Sequence, residues 1–260
     1  MALSLPKAEA VLINSFQTLE SSVATALLNK TYHFGGPFSF NLPFPPIELQ
    51  RTEPIFFFLD DHENSAFSEP ILYINLSDFD GVTDEELHEL ADALEAIKVP
   101  FLWYIAPRWP RVELPEGFVE RTSKSGQGME LSYFWGGVRM EYLERKILSH
   151  KAVGMQMRNG SWSSVTESIA AGVPIICMPT MKKFDQALNA ALVSKWGIGV
   201  GMEIWTLTEY AAIEAINKVR VSRVMKTKIE QLKRHAEEDA AEPNGDSAKN
   251  LNSFITLVTK

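Results

Sequence analysis

The chain has 260 residues, 45% of them hydrophobic, 22% charged and 10% aromatic, with a mean hydropathy of −0.08; this suits a folded core and excludes disordered or collagen-like order. The 33 acidic and 25 basic residues give a formal charge of −8 with no basic stripe, which argues against nucleic acid or an anionic membrane as partner. The longest apolar runs, Ile55 to Leu59 and Val173 to Met178, are too short to cross a bilayer, and without a basic-then-apolar leader the expected compartment is the cytosol.

In chain order, an apolar segment Ala10 to Ile13 precedes a helical stretch from Thr18 to Leu28, and Pro37, Pro43, Pro45 and Pro46 then predict an extended linker. Ile71 to Leu76 reads as a buried strand. Thr83 and Glu86, at capping-box spacing, open a helix whose apolar stripe is Leu87, Leu90, Leu94 and Ile97. Pro100 stops it, and the strand Phe101 to Ile105 completes a β-α-β unit. The pattern returns with a strand Ala152 to Met157, a helix Trp162 to Ala171 ended by Gly172, and a strand Val173 to Met178. Beyond it come a helix Asp185 to Trp196, stopped by Gly197, and a helix opened by Thr206 and Glu209 that runs through Val219. The tail turns polar, with a solvated break from Glu237 to Gly245 and a weakly amphipathic packing helix, Lys249 to Val258. The expected fold is α/β, a Rossmann-like parallel sheet with helices on both faces. The expected organisation is an appendage and linker over 1–50, a domain over 51–246 and a carboxyl-terminal packing helix over 247–260.

Five histidines, at 33, 62, 88, 150 and 235, include no i, i+4 pair, and the single Cys177 lies in an apolar run; no metal is expected. Gly197 to Gly201 follows a helix and lacks the last glycine of a dinucleotide fingerprint, so no nicotinamide cofactor is expected either. The segment from Met157 through Asn159, Gly160 and Ser161 to Glu167 passes from strand to small polar loop to helix, an order that leaves backbone N–H groups and the positive end of a helix dipole for an anion. Ser163 and Ser164 can add hydroxyl donors. Glu167 has two readings, a capping box with Ser164 or an acceptor for ribose hydroxyls. Asp185 and Gln186, placed where strands end in open α/β sheets, suit sugar hydroxyls or simply begin a helix. Trp135 could stack a planar base or belong to a core.

At these residues the chain resembles the carboxyl-terminal half of plant UDP-dependent glycosyltransferases, family 1, of the flavonoid 3-O-glucosyltransferase type. The likeness is carried by Leu5 to Ala8, Asn14-Ser15-Phe16, Gly36-Pro37-Phe38, Phe118 to Thr122, Ile147 to His150, Ala152-Val153-Gly154, Gly172-Val173-Pro174 and Asp185 to Asn189, in order along nearly the whole chain. It implies the donor-binding half of a GT-B fold that uses no metal. It further implies Trp135 against the uracil, Asn159, Ser163 and Ser164 at the diphosphate, Glu167 on the ribose, and Asp185 with Gln186 on the sugar.

Departures accompany the likeness. Asn159 stands where the family has a histidine, Ser161 and Ser163 replace a glycine and an asparagine, and Asp78 replaces a serine near the diphosphate, all of which predicts weaker phosphate binding. Trp135 is followed by Gly136-Gly137-Val138 instead of Ala-Pro-Gln, and Lys182-Lys183 reads as a short insertion. The implied function is transfer of a sugar, glucose first, from a UDP-sugar to a hydroxyl of a small acceptor such as a flavonoid. The family's catalytic histidine lies in the other half, so this chain alone is expected to be weak or inactive and to expose a face for self-association or a partner. The alternative is a degenerate or engineered scaffold acting as a non-catalytic binding or interaction module.

Overall fold

The computed structural model describes residues 8–27, 32–37, 54–64, 69–76, 82–104, 114–124, 128–131, 140–180, 184–203 and 207–259. Trp135, Asp78, Lys182, Lys183, Thr206 and the proline-rich stretch after Pro37 lie outside them. Contacts divide the chain into two units, residues 46–229 and residues 1–45 together with 230–260.

The larger unit holds a six-stranded, wholly parallel sheet in the order β5-β4-β3-β6-β7-β8. Its strands are β3 (Ile71–Asn75), β4 (Phe101–Tyr104), β5 (Gly128–Leu131), β6 (Val153–Arg158), β7 (Ile175–Cys177) and β8 (Gly199–Gly201). Strands covered on both faces read as unbroken apolar runs, and all of β3 and β4 is buried. Alternate residues feed two cores. Leu72, Ile74, Phe101, Trp103, Met155 and Met157 pack with α3 (Asp84–Ile97) and α8 (Glu209–Arg220); Ile71, Tyr73, Leu102, Tyr104 and Val153 pack with α2 (Pro54–Asn64) and α5 (Met140–Leu148).

Local chemistry sets the helix ends. The Thr83 hydroxyl accepts from Glu86 N–H at 3.2 Å while Thr83 N–H donates to Glu86 at 2.9 Å, the reciprocal box that the spacing predicts. Phe118 opens α4 (Phe118–Lys124) and lays its ring against Phe101 and Trp103, at 5.8 and 6.2 Å. The first turn of α8 is capped by Thr208, whose hydroxyl accepts from Ala211 N–H at 3.2 Å. The polar stretch that follows is helical: α9 runs Arg223–Ala240, through the first part of the expected break.

In the smaller unit, β1 (Val11–Ile13) and β2 (Tyr32–Phe34) form a parallel pair, with α1 (Ser21–Leu27) between them in the chain. Helix α10 (Asp246–Val258) ties down β2 and the Gly35-Gly36 pair after it: Asn250 donates to Phe34 O at 3.1 Å, Ser247 to Gly36 O at 2.7 Å, and the rings of His33 and Phe254 meet at 6.0 Å. No helix among the described residues is long and apolar enough to cross a membrane.

Candidate nucleotide-sugar site

From β3 the sheet grows through β4 to β5, and from β6 through β7 to β8. The strand order therefore reverses between β3 and β6, and open α/β sheets bind ligands at such a switch point, beyond the carboxyl ends of the strands. Asn75 ends β3 and Arg158 ends β6. The loop that leaves β6, Asn159 to Ser161, leads directly into α6 (Trp162–Ala171).

The loop is held by its own polar atoms. Asn159 Oδ1 accepts from Ser161 N–H at 2.9 Å and from the Ser164 hydroxyl at 3.4 Å. Ser161 is the cap of α6: its Oγ accepts from Ser164 N–H at 3.4 Å and lies 3.1 Å from Ser163 Oγ and 2.7 Å from Ser164 Oγ. Gly160 sits at φ +77°, where a Cβ would meet Cys177 Cβ at 3.1 Å, and its carbonyl accepts from Asn189 of α7 (Phe184–Trp196) at 3.0 Å. A left-handed backbone with no room for a side chain requires glycine here.

With Ser161 as the cap, Ser164 occupies the third helical position and Glu167 lies a turn further in, so the capping-box reading of Ser164 and Glu167 is corrected. The carboxylate of Glu167 turns instead to β6, where its Oε2 accepts from Arg158 Nη1 at 3.0 Å. The same Nη1 lies 3.1 Å from Glu144 Oε1 of α5. That oxygen also accepts from the Tyr73 hydroxyl at 3.0 Å and from the Asn75 amide. Side chains of Arg158 and Glu144 are 8% and 6% exposed, that of Glu167 19%. Burial, the largest influence, pushes the Glu167 carboxyl up to about 7 against the pull of Arg158, and the like charge of Glu144 adds to the rise. Burial and then Glu144 hold the Tyr73 hydroxyl well above its ordinary value, so it remains a donor. Beside this cluster Gln156, paired with Tyr73 across β3 and β6, is fully buried and neither of its amide atoms has a hydrogen-bond partner among the described residues.

The structure thus brings Asn159, Ser163 and Ser164 together around Ser161 at the start of α6 and sets Glu167 a turn further in, against Arg158; of these only Ser163 is exposed. Gln186 is buried beside the end of β7: its Oε1 accepts from Thr180 N–H and Oγ1 at 2.9 and 3.0 Å, while Nε2 is buried without a partner among the described residues. Asp185, in the first turn of α7, is exposed. Trp135 lies outside the described residues. The groups that sequence reasoning missed are Arg158 and Glu144. A signal for Arg158 was present, a guanidinium closing a run that is otherwise uncharged, because a charge inside a buried strand demands a partner.

Two side groups near the sheet carry other roles. His150, Asp60 and Glu63 place their ligand atoms within 4.8 Å of one another. His150 Nδ1 accepts from Ala152 N–H at 3.2 Å, which puts the proton of the neutral ring on Nε2, 3.1 Å from Asp60 Oδ1. An Nε2 that donates offers no lone pair to a metal, and the contact instead ties α2 to the turn before β6. Cys177 is fully buried and its thiol is pushed up to about 12 by that burial. We expect native protein to leave a thiol-specific chromogenic reagent unreacted at pH 8 and to release one equivalent after unfolding; rapid native reaction would show that β7 opens readily.

Comparison with known proteins fits the geometry. Residues 14–248 match the family described as UDP-glucoronosyl and UDP-glucosyl transferase. Anthocyanidin 3-O-glucosyltransferase 7 of Manihot esculenta is 35% identical over 99% of this chain and 85% of its own length, and a flavonoid 3-O-glucosyltransferase of Medicago truncatula 34% over 100% and 54%. Among solved structures, Medicago truncatula UGT71G1 complexed with UDP-glucose superposes with a TM-score of 0.78 at 22% identity, over 97% of this chain and 55% of that one. Phytolacca americana UGT2, complexed with UDP-2fluoro-glucose and pterostilbene, gives 0.74 at 22%, over 96% and 53%. The Manihot protein apart, the chain spans about half the length of these relatives, and its α/β sheet is one half of their GT-B fold. The chain belongs to the UDP-glucoronosyl and UDP-glucosyl transferase family, with the flavonoid and anthocyanidin glucosyltransferases as its similar members.

Proposed function

We propose that this chain binds the UDP-sugar donor, UDP-glucose first, for a glycosyltransferase that passes the sugar to a hydroxyl of a small acceptor such as a flavonoid. The observation that carries the reading is the hydrogen-bonded loop of Asn159, Ser161, Ser163 and Ser164 that opens α6 at the switch point, with Glu167 a turn further in, within the stretch matched to the family. In this reading the first turn of α6 and the hydroxyls of Ser163 and Ser164 donate to the diphosphate, which the positive end of the helix favours. Glu167 accepts a ribose hydroxyl, Asp185 and Gln186 hold the sugar, and Trp135 stacks the base. Binding at this end fixes the anomeric carbon for displacement by the acceptor oxygen. No residue of this chain is proposed as the base that takes the acceptor's proton.

A second reading, a binding module without donor affinity, is favoured by one specific observation. The loop donors that a phosphate would use, Ser161 N–H, Ser164 N–H and the Ser164 hydroxyl, are already engaged by Asn159 and Ser161. A thermal-shift titration with UDP and UDP-glucose, against UMP and ATP, separates the two. A ligand at about a hundredfold excess over Kd adds about 2.7 kcal/mol, which raises Tm by about 5–10 °C for a chain of this size. We expect a shift selective for UDP and UDP-glucose that disappears in Glu167→Ala. Its absence at millimolar ligand sinks the donor reading, and a gain in Asn159→His with Ser163→Asn then identifies the engaged loop as the reason.

A further inference from the structure

We propose that Arg158, with Glu144 behind it, is a positioning residue that decides when the Glu167 carboxylate can accept a hydroxyl from a bound nucleotide sugar. The inference rests on the reading that Glu167 faces the ribose. Its geometry is independent of that reading. Arg158 Nη1 anchors Oε2 of Glu167, and Oε1 has no hydrogen-bond partner among the described residues, so one oxygen is fixed and the other is left for a ligand. A bond to an ionised group with one oxygen anchored is directional as well as strong.

The cluster holds one cation and two carboxylates. Two hydrogen bonds, from Tyr73 and Asn75, converge on one oxygen of Glu144, which is also ion-paired with Arg158, while Glu167 receives the hydrogen bond of Arg158. Burial disfavours the charged form of Glu167 more than the pull of Arg158 favours it, so Glu167 is able to take up a proton. The groups facing it are Arg158 from β6 and Glu144 with Arg145 from α5. Helix α7, also packed on α6, turns the neutral amides of Gln186 and Asn189 to Thr180 and Gly160, and its Asp185 is exposed. Protonated, Glu167 is a donor or a weak acceptor; ionised, it accepts. The rise of its carboxyl to about 7 places that change in the physiological range.

The test is the affinity of the full chain for UDP-glucose between pH 5.5 and 8.5 by calorimetry. UDP-glucose is used because the terminal phosphate of UDP titrates at about 6 and would mask the effect. We expect affinity to rise about tenfold from pH 6 to pH 8. Glu144→Gln, which removes the like charge with little change of shape, moves the rise to lower pH and tightens binding at pH 6. Arg158→Lys, which keeps the charge but replaces the rigid planar guanidinium, whose Nη1 reaches both carboxylates, with a shorter and freely rotating ammonium, weakens binding across the range. A flat profile in the unaltered chain, or a Glu144→Gln profile that coincides with it, overturns the inference. If UDP-glucose binds at no pH, the donor reading fails, and the titration of the Glu167 side-chain carboxyl carbon resonance, assigned by its loss in Glu167→Gln, tests the inference separately. A midpoint that shifts downward in Glu144→Gln sustains the control of Glu167 by its neighbours, and an unmoved one refutes it.

Discussion

Arg158→Met is expected to destabilise the larger unit by about 3–5 kcal/mol at pH 7.5, seen as a lower midpoint in urea unfolding followed by tryptophan fluorescence. Methionine fills the space of the guanidinium's stem, so the loss is not a cavity effect. What remains are two buried carboxyl groups, 6% and 19% exposed, without the Arg158 cation between them, so the fold must either hold an unpaired charge or force a proton onto Glu167. The charge of one partner removed from a buried pair is worth more than the pair itself, because the group left behind has no water to turn to. Two comparisons make the result specific. Arg158→Met combined with Glu144→Gln and Glu167→Gln should recover most of the loss, since neutral amides tolerate burial better than unpaired charges. Arg121→Ala breaks a bidentate contact with Glu95, 2.8 Å through both nitrogens, yet its side chain is 52% exposed, and water replaces the lost partner. Its midpoint should move far less. Equal effects of the two substitutions would mean that burial does not govern the Arg158 cluster.

This contrast also explains what the sequence could and could not reveal. The β-α-β unit from Ile71 to Tyr104 was legible because its signals are local: a capping box three residues wide, a stripe at helical spacing, and apolar strands covered on both sides. Strand β8 was not legible. Two of its three residues are glycines, and nothing in their propensity favours a strand. It is imposed by close approach, since a Cβ on Gly199 would lie 1.9 Å from Ile175 O and one on Gly201 2.5 Å from Ala190 O. Helix α9 was hidden by its polarity, with Ile229 and Ala236 among its few buried residues. At the site, the order of strand, loop and helix announced the Asn159 to Ser164 cradle. The partner of Glu167 was not announced, because the bond from Tyr73 to Glu144 joins residues 71 apart and Arg158 meets both carboxylates only once β3, β6, α5 and α6 have packed. Spacing alone offered Ser164 as a partner for Glu167; burial chose Arg158.

The same cluster should make the unliganded protein less stable as pH rises through neutrality. In the unfolded chain the Glu167 carboxyl titrates at its ordinary 4.5, and in the folded chain at about 7. Between those values the folded state keeps a proton that the unfolded state has shed, so the contribution is present at low pH and is lost as pH climbs through 7. The displacement is worth about 2.5 kcal/mol between pH 5 and pH 8. Asp239 is raised by its own partial burial and acts in the same direction at lower pH, so the informative quantity is the difference between the unaltered chain and Glu167→Gln. That variant keeps the shape and an acceptor for Arg158 but cannot titrate. Urea unfolding at pH 5, 6, 7 and 8 should show its stability falling less than that of the unaltered chain, with most of the divergence developing between pH 5 and pH 7 and levelling off above 7. Parallel curves would place the proton elsewhere. If the curves do diverge, the ionised Glu167 is costly to the fold in the same pH range in which it becomes a good acceptor, and bound UDP-glucose should close the gap at pH 8 by giving Oε1 the partner that the fold withholds.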